Sequence, residues 1–176
     1  MISSKIFMGL ALAAAMALPA AAQQSEVLFQ HKHWKVELVG WDDGTVGCVA
    51  SVEAPGESFS IWTFTDQSVQ LQFYSTQWQF GSTGDTADLQ VQIDKKPLWN
   101  LTNANLNQNS VLFTLPDSDA GVNFIMEVAK GNRLYLRSAD GSPVQDYSLA
   151  GSRASIEALV ECGNVITQKN PGNPFN

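Results

Sequence analysis

Only two cysteines, two histidines and ten Lys+Arg occur among the 176 residues of this chain, and charged residues make up 15% of it. Two cysteines exclude a disulfide-dense mini-protein and a four-cysteine zinc ribbon. The ten basic residues are scattered and outnumbered by 17 Asp+Glu, for a formal net charge of -7. That balance argues against nucleic acid and anionic membrane surfaces as partners, since both need clustered Lys/Arg to neutralise phosphate. No segment reaches eighteen continuous apolar residues, so no membrane span is expected. What is plentiful is apolar and aromatic: 44% hydrophobic residues, with five Trp and nine Phe. That is enough for a real core and too much for a disordered chain.

The first 22 residues have a separate logic. Lys5 follows a short polar start, and Ile6 to Leu18 form an apolar stretch of Phe, Met, Leu and Ala too short for a stable transmembrane helix. Ala20 and Ala22 then supply the small residues that fit a signal peptidase, so residues 1–22 are expected to be a cleaved export signal and the remainder a periplasmic protein. Loss of Lys5 would leave 9 Lys+Arg against 17 Asp+Glu, a charge of -8. In an oxidising compartment an isolated cysteine pair most often forms a structural bridge, which predicts a disulfide between Cys48 and Cys162. Closing so long a loop is worth on the order of 4–5 kcal/mol in the chain-entropy model.

The body of the chain reads as strands separated by turns. Trp34, Val36 and Leu38 alternate with Lys35 and Glu37, and Val46, Cys48, Ala50 and Val52 alternate with smaller or polar neighbours. Val69, Leu71 and Phe73 alternate with Gln70 and Gln72, and Leu89, Val91 and Ile93 with Gln90 and Gln92. The same period continues through Val111–Leu115, through Val122, Phe124, Met126 and Val128, and through Leu134 and Leu136 after a Gly131-Asn132 turn. The period changes after Leu149: Ile156, Leu159 and Val160 have helical spacing, with Ser152 placed to cap the start and Gly163 to end the helix. The expected fold is therefore mainly β, an antiparallel sandwich or barrel-like sheet with one short C-terminal helix. It would occupy residues 23–167 as a single domain, with 168–176 as a flexible tail.

Few residues suggest catalysis. His31 and His33 are the only histidines, two metal ligands without a third make a poor site, and there is no Gly-x-Ser-x-Gly elbow. Asp42 and Asp43 are adjacent in a turn, and Asp117 and Asp119 before Gly121 lack the other positions of a calcium loop, so a polar turn between strands explains them better. No catalytic residue, metal or other cofactor is assigned. Trp62, Trp78 and Trp99 are the candidate ligand or partner contacts, because exposed indoles on a secreted β-protein stack on sugars or anchor in protein interfaces. Gln70, Gln72, Gln77, Gln79, Gln90 and Gln92 would give an amide-rich face beside them. The competing reading has the tryptophans filling the core and the glutamines solvating an outer face.

The export signal, Trp34-Lys35-Val36 ahead of Cys48, and the element Ser148-Leu149-Ala150-Gly151-Ser152-Arg153-Ala154-Ser155 together resemble small periplasmic proteins of the invasion-associated locus B family. The chain differs from that family in lacking a cysteine-rich stretch in its first half. The resemblance implies a non-enzymatic β-protein of the cell envelope, with no catalytic residues to carry over. The expected function is thus binding of an envelope protein or saccharide; the alternative is a periplasmic hydrolase, or an inhibitor of one, with a loop-built site.

Overall fold

The computed structural model describes residues 24–81 and 84–168. The expected leader, residues 1–22, and residues 169–176 of the expected tail lie outside them. Ten strands run in chain order as β1 (Gln24–His31), β2 (Trp34–Gly40), β3 (Val46–Ala54), β4 (Glu57–Phe64), β5 (Val69–Ser75), β6 (Thr86–Ile93), β7 (Trp99–Asn107), β8 (Ser110–Thr114), β9 (Arg133–Ser138) and β10 (Pro143–Ser148). Helix α1 (Asp119–Lys130) lies between β8 and β9, and α2 (Ser152–Thr167) follows β10.

The strands form one sheet in the order β1-β2-β3-β4-β5-β8-β7-β6-β9-β10, with every neighbouring pair antiparallel. The fold is mainly β with a helix near the C-terminus, and the sheet is not closed, since β1 and β10 are its edges. Strand twist coils it far enough to bring distant strands together. The indole N–H of Trp34 in β2 donates to the Ser148 carbonyl in β10 at 3.1 Å, and the Gln145 amide of β10 donates to the Tyr74 carbonyl of β5 at 3.5 Å.

Alternation decides which face is inside. Trp34, Val36, Cys48, Ala50, Phe59, Ile61, Leu71, Phe73, Val91, Ile93, Leu134 and Leu136 all point to one side and are buried. Each large apolar side chain so buried contributes about 1.5–3 kcal/mol relative to exposure. Phe59 stacks on Phe73 with centroids 5.0 Å apart, and Trp34 meets Phe59 edge-on at 6.0 Å. Tyr147 joins this cluster and satisfies its hydroxyl by donating to Gln145 Oε1. Burial, assisted by the charge of Glu57, pushes its phenol well above the ordinary tyrosine range.

One segment departs from the sequence expectation. Val122, Phe124, Met126 and Val128 do not form a strand but lie in α1, whose buried residues are Gly121, Phe124 and Val128. Those three recur at helical spacing, whereas Val122 and Met126 stay exposed at 63% and 45%. Asp117 and Asp119 accordingly precede and open a helix rather than turn between strands, and Asp119 sits in the first turn, where the helix dipole favours a carboxylate. Gly131-Asn132 is likewise not a hairpin turn. Gly131 follows the end of α1, and the backbone amides of Asn132 and Arg133 donate to the Asp94 carboxylate at 3.1 and 3.0 Å, which sets the start of β9.

The second helix forms where expected, with different ends. Its N-cap is Gly151, which glycine alone suits on two counts: φ is +105°, and a Cβ there would sit 2.5 Å from the His31 carbonyl oxygen. Ser152 does not cap. It is fully buried, and its hydroxyl donates to the Val128 carbonyl near the end of α1 at 2.8 Å, satisfying a carbonyl the helix end leaves open. Gly163 does not end α2 either, since the helix runs on to Thr167. A Cβ at Gly163 would stand 3.1 Å from the Thr63 methyl, so the missing side chain lets α2 approach β4 closely. The predicted bridge is present: Cys48 of β3 and Cys162 of α2 are disulfide-bonded, with Cα atoms 6.1 Å apart.

Candidate functional site

The three tryptophans occupy three different settings. Trp78 and Trp99 are part-buried and pack against the core. Trp99, at the start of β7, meets Phe124 of α1 edge-on with centroids 5.4 Å apart, and its indole N–H donates to Glu127 at 2.9 Å. Trp78 lies in the β5–β6 connection beside Phe80, and its carbonyl accepts a hydrogen bond from the Asn109 amide. These two hold connections and a helix onto the sheet.

Trp62 is different. It projects from β4 beside Ile61, which is fully buried in the core, so alternation sends its indole to the opposite, outer face of the sheet. Phe64, two residues on, shares that face, and its ring lies parallel to Trp62 at an interplanar angle of 5° with centroids 6.0 Å apart. Trp41, in the turn after β2, closes the group, 5.8 Å from Trp62 and 6.4 Å from Phe64. All three rings are part-buried, as Trp78 and Trp99 are. The register explains the assembly: Phe64 stands opposite Gly47 of β3, where no side chain intervenes, and its ring carbons come within 3.1 Å of where a Cβ would be. Trp62 was legible as a candidate. Phe64 and Trp41 were not, although the Trp62-x-Phe64 spacing is the signal for two rings on one strand face.

Polar groups fix and border these rings. The Trp62 indole N–H donates to Gln72 Oε1 at 2.8 Å, and the same Gln72 donates to the Ser110 hydroxyl at 2.9 Å. A shallow groove beside Trp62 has Val49, Ser51 and Ser60 in its lining and is bounded by Glu37 and Glu53. Lys35 bridges those carboxylates, its ammonium 3.1 Å from Glu37 and 2.7 Å from Glu53. The hydrogen bond to Glu53, then the bond and charge of Glu37, hold its pKa above the usual lysine value despite partial burial. Two carboxylates tied to one ammonium form a fixed charge cluster, not a poised acid and base.

The other sequence candidates do not converge. Asp43 accepts a hydrogen bond from the Thr45 amide at 2.8 Å, and bonds from the Thr45 hydroxyl and amide lower its pKa, as in an Asx turn. His31 ends β1 and His33 follows in the turn to β2, both exposed. Among the described residues, no three His, Cys, Asp or Glu side chains gather as a metal-holding group, and no helix is long and apolar enough to cross a membrane. Comparison of the chain with protein-family models, with curated proteins and with solved structures finds no match.

Proposed function

We propose that this chain is an exported, periplasmic, non-enzymatic binding protein of the cell envelope whose Trp41–Trp62–Phe64 face engages a saccharide. The observation that carries this reading is the parallel, part-buried pair of Trp62 and Phe64 on the sheet face away from the core. Aromatic faces carry negative potential and attract the C–H-rich face of a pyranose ring. The serine hydroxyls, the amide of Gln72 and the carboxylates of Glu37 and Glu53 alongside supply the hydrogen-bonding groups that sugar hydroxyls require. The apolar leader supports export, and the resemblance of Ser148–Ser155 to invasion-associated locus B proteins supports an envelope setting without enzymatic activity.

Calorimetric titration with chitotetraose and cellotetraose tests the reading. One of the two is expected to bind saturably, and Trp62→Ala to weaken that binding about tenfold, since an aromatic contact is worth up to about 1.5 kcal/mol. Equal affinity in the variant would remove the platform from the site. Turnover of either sugar would favour the hydrolase alternative instead.

A further inference from the structure

On the opposite side of the sheet from Trp62, a cleft of about 290 Å³ opens between α1, α2 and strands β4 and β5. Its floor is Ile61 and Val69, and its walls are Ile125 of α1 with Ile156, Leu159 and Val160 of α2. Every one of these side chains is aliphatic, so the cleft offers no ring on which a planar group could stack. Gly163 extends the wall of α2 without a side chain to block it. Val160, in the wall formed by α2, is 55% exposed. A concave site lined by apolar side chains that water can reach is a candidate binding site.

The far end of the cleft changes character. Thr63 in β4 and Gln67 in the β4–β5 turn line the end of the cleft where α2 carries Asn164 and Thr167, with Val69 opposite Thr63 in the register. All four polar residues are neutral, and no charged residue lines the cleft, although the chain carries a net charge of -7. At 1.5 Å per residue, α2 travels about 16 Å from Ile156 to Thr167. The volume sits at the lower limit of small-molecule pockets, about 300 Å³, which suits one chain and not two.

We infer that this cleft binds a single aliphatic acyl chain bearing an uncharged polar head, the chain lying against Ile61, Ile125, Ile156 and Leu159 and the head meeting Gln67 and Asn164. An anionic head would gain no countercharge there and would face the acidic field of the protein. A charged peptide helix would find no ion-pair partner among the lining residues. This site is independent of the saccharide reading, because Ile61 and Trp62 are successive residues of β4 and face opposite ways.

The test is equilibrium dialysis of the full chain against monododecanoylglycerol below its micellar concentration, with dodecyl sulfate and dodecyltrimethylammonium as charged comparators. The expected result is saturable one-to-one binding of the neutral amphiphile, at least about tenfold tighter than either charged one. Val160→Asp places a carboxylate at the apolar mouth and should weaken that binding by at least about tenfold with the thermal midpoint unchanged, because Val160 is largely solvent-exposed. Val160→Met should retain it within about threefold, as expected of an apolar replacement at a rim. Absence of saturable binding, or indifference to Val160→Asp, would overturn the proposal. So would a dimer by sedimentation that Val160→Asp dissolves without any amphiphile bound, which would assign the face to a second copy, and so would binding that appears only after residues 169–176 are removed. Trp62→Ala serves as the control and should leave amphiphile binding unchanged, so that failure of one site is separable from failure of the other.

Discussion

Helix α2 is bonded covalently to β3 through Cys162 and Cys48, whereas α1 is held by non-covalent contacts: three buried residues, the hydrogen bonds Trp99–Glu127 and Ser152–Val128, and the Lys96–Glu127 ion pair. Both helices cover the same face of the sheet. They differ in what must break for each to leave. Releasing α2 means exposing Ile156, Leu159 and the fully buried Ser152 while Cys162 stays tethered, so even a detached α2 remains close to its site. Releasing α1 means separating Phe124 from Trp99 and pulling the Val128 carbonyl from Ser152, with only sequence neighbours to hold the segment near. Local opening should therefore begin at α1, and its amides should exchange with solvent before those of α2. The difference also separates two kinds of stability: one acts by restricting the unfolded chain, the other by contacts in the folded one.

The comparison breaks most completely when the bridge is removed. Cys48→Ser with Cys162→Ser should lower the unfolding free energy by on the order of 4 kcal/mol in urea titration, since a loop of more than a hundred residues is released. Hydrogen exchange should then show α2 protection falling toward that of α1. A loss below about 1 kcal/mol would mean that packing, not the cross-link, anchors α2. The next largest effect belongs to α1: Phe124→Ala removes a side chain that is 1% exposed and should cost about 3 kcal/mol, leaving the bridge intact. Trp99→Phe keeps the ring contact but removes the hydrogen bond to Glu127, whose carboxylate keeps its ion pair with Lys96, and about 1 kcal/mol is expected from the lost bond. If exchange at α2 rose as much as at α1 in either variant, the two helices would be one cooperative unit and the contrast would fail.

The sequence showed one helix and hid the other for a definite reason. Ile156, Leu159 and Val160 fit a helix and no strand. In α1, by contrast, Val122, Phe124, Met126 and Val128 satisfy period two while Gly121, Phe124 and Val128 satisfy period 3.6. Only the sheet beneath decides between them: Phe124 and Val128 find buried partners, and Val122 and Met126 do not. The strand pairs rich in glutamine were legible because their alternation has no helical counterpart. The disulfide was legible from the isolated cysteine pair, read on the expectation of an oxidising compartment, and from the inward position of Cys48. The aromatic face was half legible. Trp62 could be singled out by type, but Trp41 reaches it only through the β2–β3–β4 register, in which Val39 pairs with Gly47 and Gly47 with Phe64, a relation that local patterns do not contain. The helix cleft left no trace in composition or spacing, because it is a gap between elements far apart in the chain.

The smallest expected effect lies in the hairpin that joins the two helices. Between β9 and β10, the Asp140 carboxylate accepts hydrogen bonds from the Ser138 hydroxyl at 2.5 Å and the Ser142 amide at 2.9 Å. The Ser138 hydroxyl, then the amide and hydroxyl of Ser142, favour the charged form and bring its pKa down to about 2. A depressed carboxylate pKa means that the folded state binds its proton less readily than the unfolded state, so the turn is fully stabilised above the ordinary aspartate value, about 3.9. That contribution disappears as pH falls through about 2. Because Asp140 is exposed, the change should be seen in the hairpin before it is felt in global unfolding. Carboxyl NMR titration should place the Asp140 midpoint near 2, and Asp140→Asn should flatten the pH dependence of Ser142 amide exchange between pH 4 and 2. If instead α1 and α2 both loosened as that carboxylate titrated, the hairpin would be a mechanical link between them, and their different anchoring would be a property of one shared unit.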